Sequence, residues 1–490
     1  MDLNELRVKT LFSLFWKFAE RFGVSGIQFI LQIILARLLM PADYGILSIM
    51  IIFTNLANVF IQNGFNTALI QKKDTSNEDY SSVFWLTFTI SIFIYIFLFF
   101  SAPFIADFYN MEKIIFPFRI ISLMVIPGAL NSIQIAIISK KMDFKKIFTS
   151  NLFSILFSGI IGIFLAYKGL GIWALVFQTL SNVFIACIVM WFTVKWRPLF
   201  VFEIHRVKKL FTYGWKLLTS SLLDTLYQEL SSLVIGKKYD SSTLGFYNRG
   251  KQFPQFLINA INGSVQSVML PAMSTIQDNK LQVKAMMRRS IILSSYIIFP
   301  MMVGLAVVAD PLVKLLLTEK WSFCVPYMQI FCFTYAFYPV HSCNLQTINA
   351  IGRSDIFLKL EIIKKTIGII SLIIAVFCFD SPIAIAMTGI FTTFTSCFIN
   401  AYPNKILINY SYIEQMKDIL PNFIIACLMG IVVYPIIFLK FNIILTIVLQ
   451  IILGVIVYII ISLVLKIESF SYILTLLKKI INRNNGREKS

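Results

Sequence analysis

Histidine is almost missing: the 490 residues hold two. His205 falls in a basic loop and His341 near an expected helix end. Neither has a second ligand close by, so no metal site is expected. Charged residues are also few, at 14%. No polar stretch exceeds about 20 residues, which leaves no room for a separate soluble or ATP-binding domain. There is no P-loop, no G-x-S-x-G, no H-E-x-x-H and no zinc spacing. The sequence therefore names no catalytic residue and no cofactor, and the chain is not expected to be an enzyme. Cys187, Cys324, Cys332, Cys343, Cys378, Cys397 and Cys427 fall almost entirely in apolar runs. Their spacing fits neither a disulfide framework nor a metal site, and they read as small lipophilic core residues.

What is present is hydrophobic: 58% of the chain, with 15% aromatic residues. That composition excludes a soluble domain and indicates a multi-pass membrane protein. About fourteen apolar runs are long enough to span a bilayer. They lie near 11–38, 43–67, 82–105, 114–138, 149–167, 172–194, 210–236, 245–275, 289–309, 323–348, 357–379, 383–402, 419–438 and 441–465. The first is too long for a signal peptide and lacks an A-x-A site, so it is expected to remain as a span. The fold class expected is all-α integral membrane. Seven prolines (Pro117, Pro127, Pro254, Pro271, Pro300, Pro326 and Pro339) fall inside these runs and are expected to kink helices.

The net charge of +19 has a topological reading. Roughly 29 of the 43 Lys and Arg fall on the side holding the N-terminus. They cluster at Lys140 to Lys146, around Arg206 to Lys209 and from Lys284 to Arg289. Both termini are thus expected in the cytoplasm. Nucleic acid is not an expected partner. Asp74, Glu78 and Asp79 form the densest acid cluster and read as a solvated loop face.

One helix is not apolar all round. Ser13, Lys17, Arg21, Ser25, Gln28 and Gln32 recur at steps of three and four, which keeps them on one side. Thr212, Lys216, Ser220, Asp224, Gln228 and Ser232 repeat the pattern in steps of four. The flanking sequence repeats too: Leu11-Phe12-Ser13-Leu14-Phe15-Trp16-Lys17 aligns with Leu210-Phe211-Thr212-Tyr213-Gly214-Trp215-Lys216. Further on, Gly45 matches Gly245, Asn63-Gly64 matches Asn262-Gly263, and Ala106-Asp107 matches Ala309-Asp310. Pro117-Phe118 matches Pro326-Tyr327, and Gln134 and Asp143 match Gln346 and Asp355. An even number of spans separates the copies, so both insert the same way, as a parallel repeat. The expected organisation is an N-lobe over 1–205 (spans 1–6) and a C-lobe over 206–405 (spans 7–12). Two extra spans follow over 406–466, and an amphipathic cytoplasmic tail over 467–490.

Spans 2 and 8 are striped as well, with Asn55, Asn58, Gln62 and Asn66 on one and Asn248, Gln252, Gln255, Asn259, Asn262 and Gln266 on the other. A central Lys or Arg in a lipid-facing helix costs roughly 2.5–3.5 kcal/mol. Four striped helices therefore predict a hydrated cleft. The competing reading is interhelical glue, at roughly 0.6 kcal/mol per hydrogen bond. The cleft residues expected to touch substrate are Lys17, Arg21, Gln28, Gln32, Arg37, Asn55, Asn58, Gln62, Lys216, Gln228, Arg249, Lys251, Gln255 and Asn259. Cations toward both mouths, with Lys237 and Lys238 at the outer one, suit an anion, and guanidinium groups pair bidentately with diphosphate oxygens. Glu20, Asp224 and Glu229 are acids within spans and candidates for ion coupling.

The segments Ala36-Arg37-Leu38-Leu39-Met40-Pro41-Ala42-Asp43-Tyr44-Gly45, Asn63-Gly64-Phe65, Leu244-Gly245-Phe246-Tyr247-Asn248-Arg249 and Ala350-Ile351-Gly352-Arg353-Ser354-Asp355 carry a resemblance over nearly the whole chain. It resembles the polysaccharide transporter branch, the Wzx-type flippases, of the multidrug/oligosaccharidyl-lipid/polysaccharide exporter superfamily. The resemblance implies two lobes around a cationic cavity lined by spans 1, 2, 7 and 8. It implies an undecaprenyl-diphosphate-linked oligosaccharide as substrate, moved between leaflets by alternating access, with H+ or Na+ coupling left open. Expected partners are that substrate, membrane lipids and other glycan-assembly proteins, with the chain itself a monomer. Two rivals stay open: a multidrug/cation antiporter of the same superfamily, and a membrane glycan polymerase or glycosyltransferase. The amide-rich, basic stripes speak against the first, and the short outer loops against the second.

Overall fold

The computed structural model describes residues 16, 23–62, 65–72, 74–472 and 475. Among them the regular elements are all helical and no strand forms. In chain order the first are α1 (Ser25–Leu38), α2 (Pro41–Gln62), α3 (Phe65–Gln71), α4 (Asn77–Tyr109), α5 (Ile115–Ile121) and α6 (Val125–Lys141). Then come α7 (Phe144–Tyr167), α8 (Ile172–Thr193), α9 (Ile204–Lys238) and α10 (Ser241–Ser274). The remainder are α11 (Lys280–Val307), α12 (Ala309–Leu317), α13 (Val325–Ala336), α14 (Tyr338–Ala350), α15 (Ser354–Cys378), α16 (Pro382–Leu407), α17 (Tyr412–Val433) and α18 (Ile443–Val464).

Local chemistry places the ends. Ser76 and Asp79 cap α4 reciprocally, each side chain taking the other's backbone N–H, and Ser411 and Glu414 do the same for α17. Asn279 caps α11 through the Gln282 N–H. The apolar run near 323–348 breaks at Phe337, just ahead of Pro339. The run near 114–138 passes through a 3-10 turn at Ser122–Met124 before Pro127. Both breaks follow from the clash of a proline ring with the preceding turn.

Among the described residues the expected runs fall largely on helix, but they are not equally apolar. Among the described residues nine helical stretches are long and apolar enough to cross a membrane. α9 and α10 fall short because of their stripes, and α15 because Glu361, Lys364 and Lys365 share its first half. Only the part of the first run from Gly23 onward is described. The apolar faces point out: Phe93, Phe97, Phe100 and Phe104 on α4, and Ile451, Ile452, Val455 and Ile456 on α18, are exposed. Hydrocarbon is the environment that covers such surface without penalty.

The chain divides into two compact units, one up to Asn248 and one from Arg249. This packing boundary falls inside α10, downstream of residue 205 where the sequence repeat divides. The cause is α9, which packs on α2, α3 and α4. Val207 and Leu210 join Phe65, Leu69, Val83, Phe84 and Ile133 in one core, and Phe211 stacks on Phe65 at 5.9 Å. The segment before α9 is pinned to α4 as well. Leu199 N–H donates to Ser81 Oγ at 2.9 Å, Glu203 N–H to Ser82 Oγ at 3.0 Å, and Trp85 Nε1–H to Leu199 O at 2.8 Å.

One expectation needs correction here. Asp79 is not part of a solvated face: its side chain is 1% exposed, held by Lys72 and, at 3.3 Å, by Arg206 of α9. A buried carboxylate needs paired donors, and Asp79 has them from three directions. The cysteines are free; five are buried, Cys427 is half-buried and Cys378 is exposed. Of the expected amphipathic tail, residues 473, 474 and 476–490 lie outside the described residues.

Candidate functional site

The stripe on α9 is the best-described wall. Thr212, Lys216, Ser220 and Gln228 are exposed and Asp224 is half-buried. Gln228 Nε2 donates to Asp224 Oδ2 at 2.8 Å, one turn apart. The wall then closes. Ser232 is buried and its Oγ donates to Asn248 Oδ1 at 3.2 Å. One turn further, a Cβ on Gly236 would meet Leu244, Tyr109 and Ile49 at 3.2–3.4 Å.

Closure is tightest at two glycines that match in the sequence repeat. A Cβ on Gly45 would lie 1.7 Å from the Ser241 carbonyl oxygen, and one on Gly245 would lie 2.2 Å from the Pro41 carbonyl oxygen. The pairs are reciprocal: Pro41 and Gly45 open α2 as Ser241 and Gly245 open α10. Such self-complementary contact is the signature of a two-fold relation between copies. Only glycine lets the two backbones approach so closely. The α9 stripe is thus exposed at Thr212, Lys216, Ser220 and Gln228 and packed at Ser232 and Gly236, with Lys237 and Lys238 exposed beyond.

In the first unit, Gln28, Arg37 and Gln62 are exposed, while Gln32, Asn55, Asn58 and Glu229 are half-buried. α1 turns Leu31 and Leu35 inward, with Leu31 filling the notch left by Gly159 of α7. Asn58 faces Gly128 of α6, where a Cβ would come within 3.0 Å of its Oδ1. Lys17, Glu20 and Arg21 lie outside the described residues.

In the second unit, Lys251 and Gln255 are half-buried and Asn259 is exposed. Arg249 departs from the expected exposed cation. It is 5% exposed, with its guanidinium 5.3 Å from the Trp321 ring and Nη1–H donating to Gln252 Oε1 at 2.5 Å. Gly250 is what lets it seat: a Cβ there would sit 2.7 Å from Tyr327 and 2.8 Å from the Cys324 carbonyl.

The two extra spans over 406–466 also build an apolar groove of about 530 Å³ with α11, lined among others by Pro300, Gly304, Met429, Gln450, Gly454 and Tyr458. Gly430 beside it brings α17 against Val303 of α11. Gln450 is 1% exposed, and neither amide atom has a partner among the described residues. The small residues Gly304, Gly430 and Gly454 were the available signal. No cluster of three metal-ligating side chains occurs among the described residues.

Comparison with known proteins places this geometry. A family model described as polysaccharide biosynthesis protein matches residues 34–326, more than half of the chain. The teichuronic acid biosynthesis protein TuaB of Bacillus subtilis (strain 168) is 24% identical over 78% of this chain and 79% of its own. The succinoglycan biosynthesis transport protein ExoT of Rhizobium meliloti (strain 1021) is 21% identical over 83% of this chain and 80% of its own. Among solved structures, the lipid II flippase MurJ in an inward closed conformation superposes with a TM-score of 0.71. It is 17% identical and covers 94% of this chain and 98% of its own. That likeness shows the fold: an all-helical, multi-pass membrane transporter architecture.

Proposed function

The chain belongs to the polysaccharide biosynthesis protein family, and from that premise we propose that it flips a lipid-linked oligosaccharide across the bacterial inner membrane. The substrate is an undecaprenyl-diphosphate-linked repeat unit of O-antigen, capsule or exopolysaccharide. It moves from the cytoplasmic to the periplasmic leaflet by alternating access. The carrying observation is the α9 wall, polar and exposed over four turns, then sealed at the Gly45–Gly245 contact. A glycan needs many weak amide and hydroxyl partners, which the stripes supply. A diphosphate needs cations, and the exposed Lys216 and Arg37 are the described candidates in the first unit. A lipid tail needs apolar surface, and the α11–α17–α18 groove provides it.

In this reading both termini and the basic loops face the cytoplasm, so the open part of α9 faces the cytoplasm too. The Gly45–Gly245 contact is then the outer seal, which must part for release. Asp224 is the described acid best placed for ion coupling, through its bond to Gln228. The two sequence copies, 1–205 and 206–405, are the elements that alternate, with 406–466 carrying the groove.

The test is complementation of cells that lack the protein. Wild-type chain should restore surface glycan, and lipid-linked glycan should otherwise accumulate on the cytoplasmic face. Lys216→Ala with Arg37→Ala should cut export about tenfold or more, the loss of one charge-assisted contact each. Gly45→Leu should abolish export at normal membrane levels of protein, since a side chain cannot occupy the place of the Ser241 carbonyl. Full rescue by all three substitutions would remove this wall from the transport path.

A further inference from the structure

A second pocket lies away from the stripes, at the end of α11 that carries the basic cluster Lys284 to Arg289. It measures about 770 Å³ and is formed by the first turns of α11 and the short helical segment after α18. One wall is apolar, from Ala285, Met286, Ile292 and Leu293. The other is polar, from Arg288, Arg289, Glu468, Ser469 and Tyr472.

The charges on that wall are not equivalent. Arg288 is committed: it grips Asp418 through two bonds of 2.8 Å. Arg289 is exposed and seated on Tyr472, 4.4 Å above the ring, with no ion pair among the described residues. Glu468 is exposed and makes no ion pair among the described residues. Ser469 is 2% exposed, and its Oγ has no hydrogen-bond partner among the described residues. A buried hydroxyl with no partner is costly, so an occupant that satisfies it is favoured. The pocket thus offers the Arg289 cation, a Glu468 carboxylate whose charge also acts on Arg288, a buried hydroxyl and an apolar flank. An inorganic anion uses only half of that set. A zwitterionic amphiphile uses all of it.

We propose that this pocket binds the headgroup of a zwitterionic, ethanolamine-type phospholipid, with phosphate on Arg289 and Ser469 and ammonium on Glu468. The apolar wall takes the first methylenes of an acyl chain. Arg288 and Asp418, already paired, tie the pocket to the start of α17, so an occupant stiffens the packing of α11, α17 and the segment after α18 together. The site is independent of the flippase reading.

The experiment uses the full chain, purified in detergent. Thermal unfolding and retained lipid, by native mass spectrometry, are measured with added phosphatidylethanolamine, phosphatidylglycerol or inorganic phosphate. Phosphatidylethanolamine should raise Tm by several degrees and remain bound. Phosphatidylglycerol should do less, and inorganic phosphate nothing. Arg289→Gln, an exposed position, should keep the lipid-free Tm but weaken retention about tenfold. Glu468→Gln should erase the preference for phosphatidylethanolamine over phosphatidylglycerol. Ser469→Ala, should it fold less well, is judged by retention at a temperature below its own Tm, where retention should fall. The proposal is overturned if Arg289→Gln retains lipid as wild type does. It is also overturned if inorganic phosphate alone gives the full shift, or if Glu468→Gln leaves the headgroup preference unchanged.

Discussion

Asn344, Asn404 and Gln415 are fully buried where α14, α16 and α17 meet, whereas the stripe of α9 stays exposed at Thr212, Lys216, Ser220 and Gln228. The buried amides bond one another, and of their side-chain polar atoms Asn404 Oδ1 alone has no partner among the described residues. Asn344 Nδ2 donates to Gln415 Oε1 at 2.8 Å, Gln415 Nε2 returns a bond to Asn344 Oδ1 at 3.1 Å, and Asn404 Nδ2 adds another at 2.7 Å. The α9 amide has a partner only on its own helix, Asp224. The same chemistry therefore serves as glue in one place and as an open wall in the other. What separates them is geometry. Partners from three helices can close a compact cluster, but a stripe that runs for five turns has too many groups for neighbours to satisfy.

The largest break of this contrast is expected from Asn344→Ala. It removes four side-chain bonds and strips Gln415 Oε1 of its Asn344 donor, while Gln415 Nε2 and Asn404 Nδ2 keep bonds to backbone carbonyls, which should cost about 2–3 kcal/mol. Thermal unfolding in detergent would show it, with loss of folded protein in the membrane. Gln228→Ala should do the opposite: stability within about 0.5 kcal/mol of wild type, but export reduced about tenfold, equivalent to about 1.4 kcal/mol. Equal Tm losses in the two variants would end the distinction between glue and wall.

A smaller effect sharpens it from inside the cluster. Asn400 is fully buried one turn from Asn404, and neither of its amide atoms has a partner among the described residues. Asn400→Leu should therefore be neutral, or stabilise by up to about 1 kcal/mol, because an apolar side chain of similar size replaces an unsatisfied one. A clear loss of Tm would show that an ordered water bridges this amide and that the cluster is larger than its side chains.

Much of this was legible in the residues. Apolar runs located the helices because hydrocarbon tolerates little else, and the step of four in the α9 stripe gave its face. The repeat pointed to Gly45 and Gly245 as equivalent, and the structure shows them reciprocal in space. The position of Arg249 was not legible: its burial depends on Trp321 and Gly250, brought to it by folding. Asp79 read as solvated because its three loop neighbours are polar. Its burial comes from Arg206, 127 residues away in the chain. The groove went unread because glycine spacing on three separate helices carries meaning only once they are side by side.

The smallest effect tests matched positions at the solvent edge, where neither glue nor wall applies. Asp143 and Asp355 correspond in the repeat; Asp143 directly follows left-handed Met142, φ 57, and Asp355 lies three residues after Gly352, φ 79. Asp143 pairs with Lys146 at 3.0 Å. Asp355, ahead of the apolar run of α15, pairs twice with Arg353, at 2.9 and 2.8 Å. The Arg353 hydrogen bonds hold its carboxyl down to about 2. A folded-state value depressed below the unfolded one, about 3.9, gives stabilisation that is fully present above pH 4 to 5. It is lost as pH falls toward 2. Arg353→Gln should therefore lower Tm by the same slight amount from pH 5 to 8, with the gap to wild type closing between pH 4 and 2. The pair is exposed and screened, so the gap is expected to be small and to shrink in high salt. A gap that widens as pH falls would contradict the assignment, because protonated Asp355 has no charge left for Arg353 to hold.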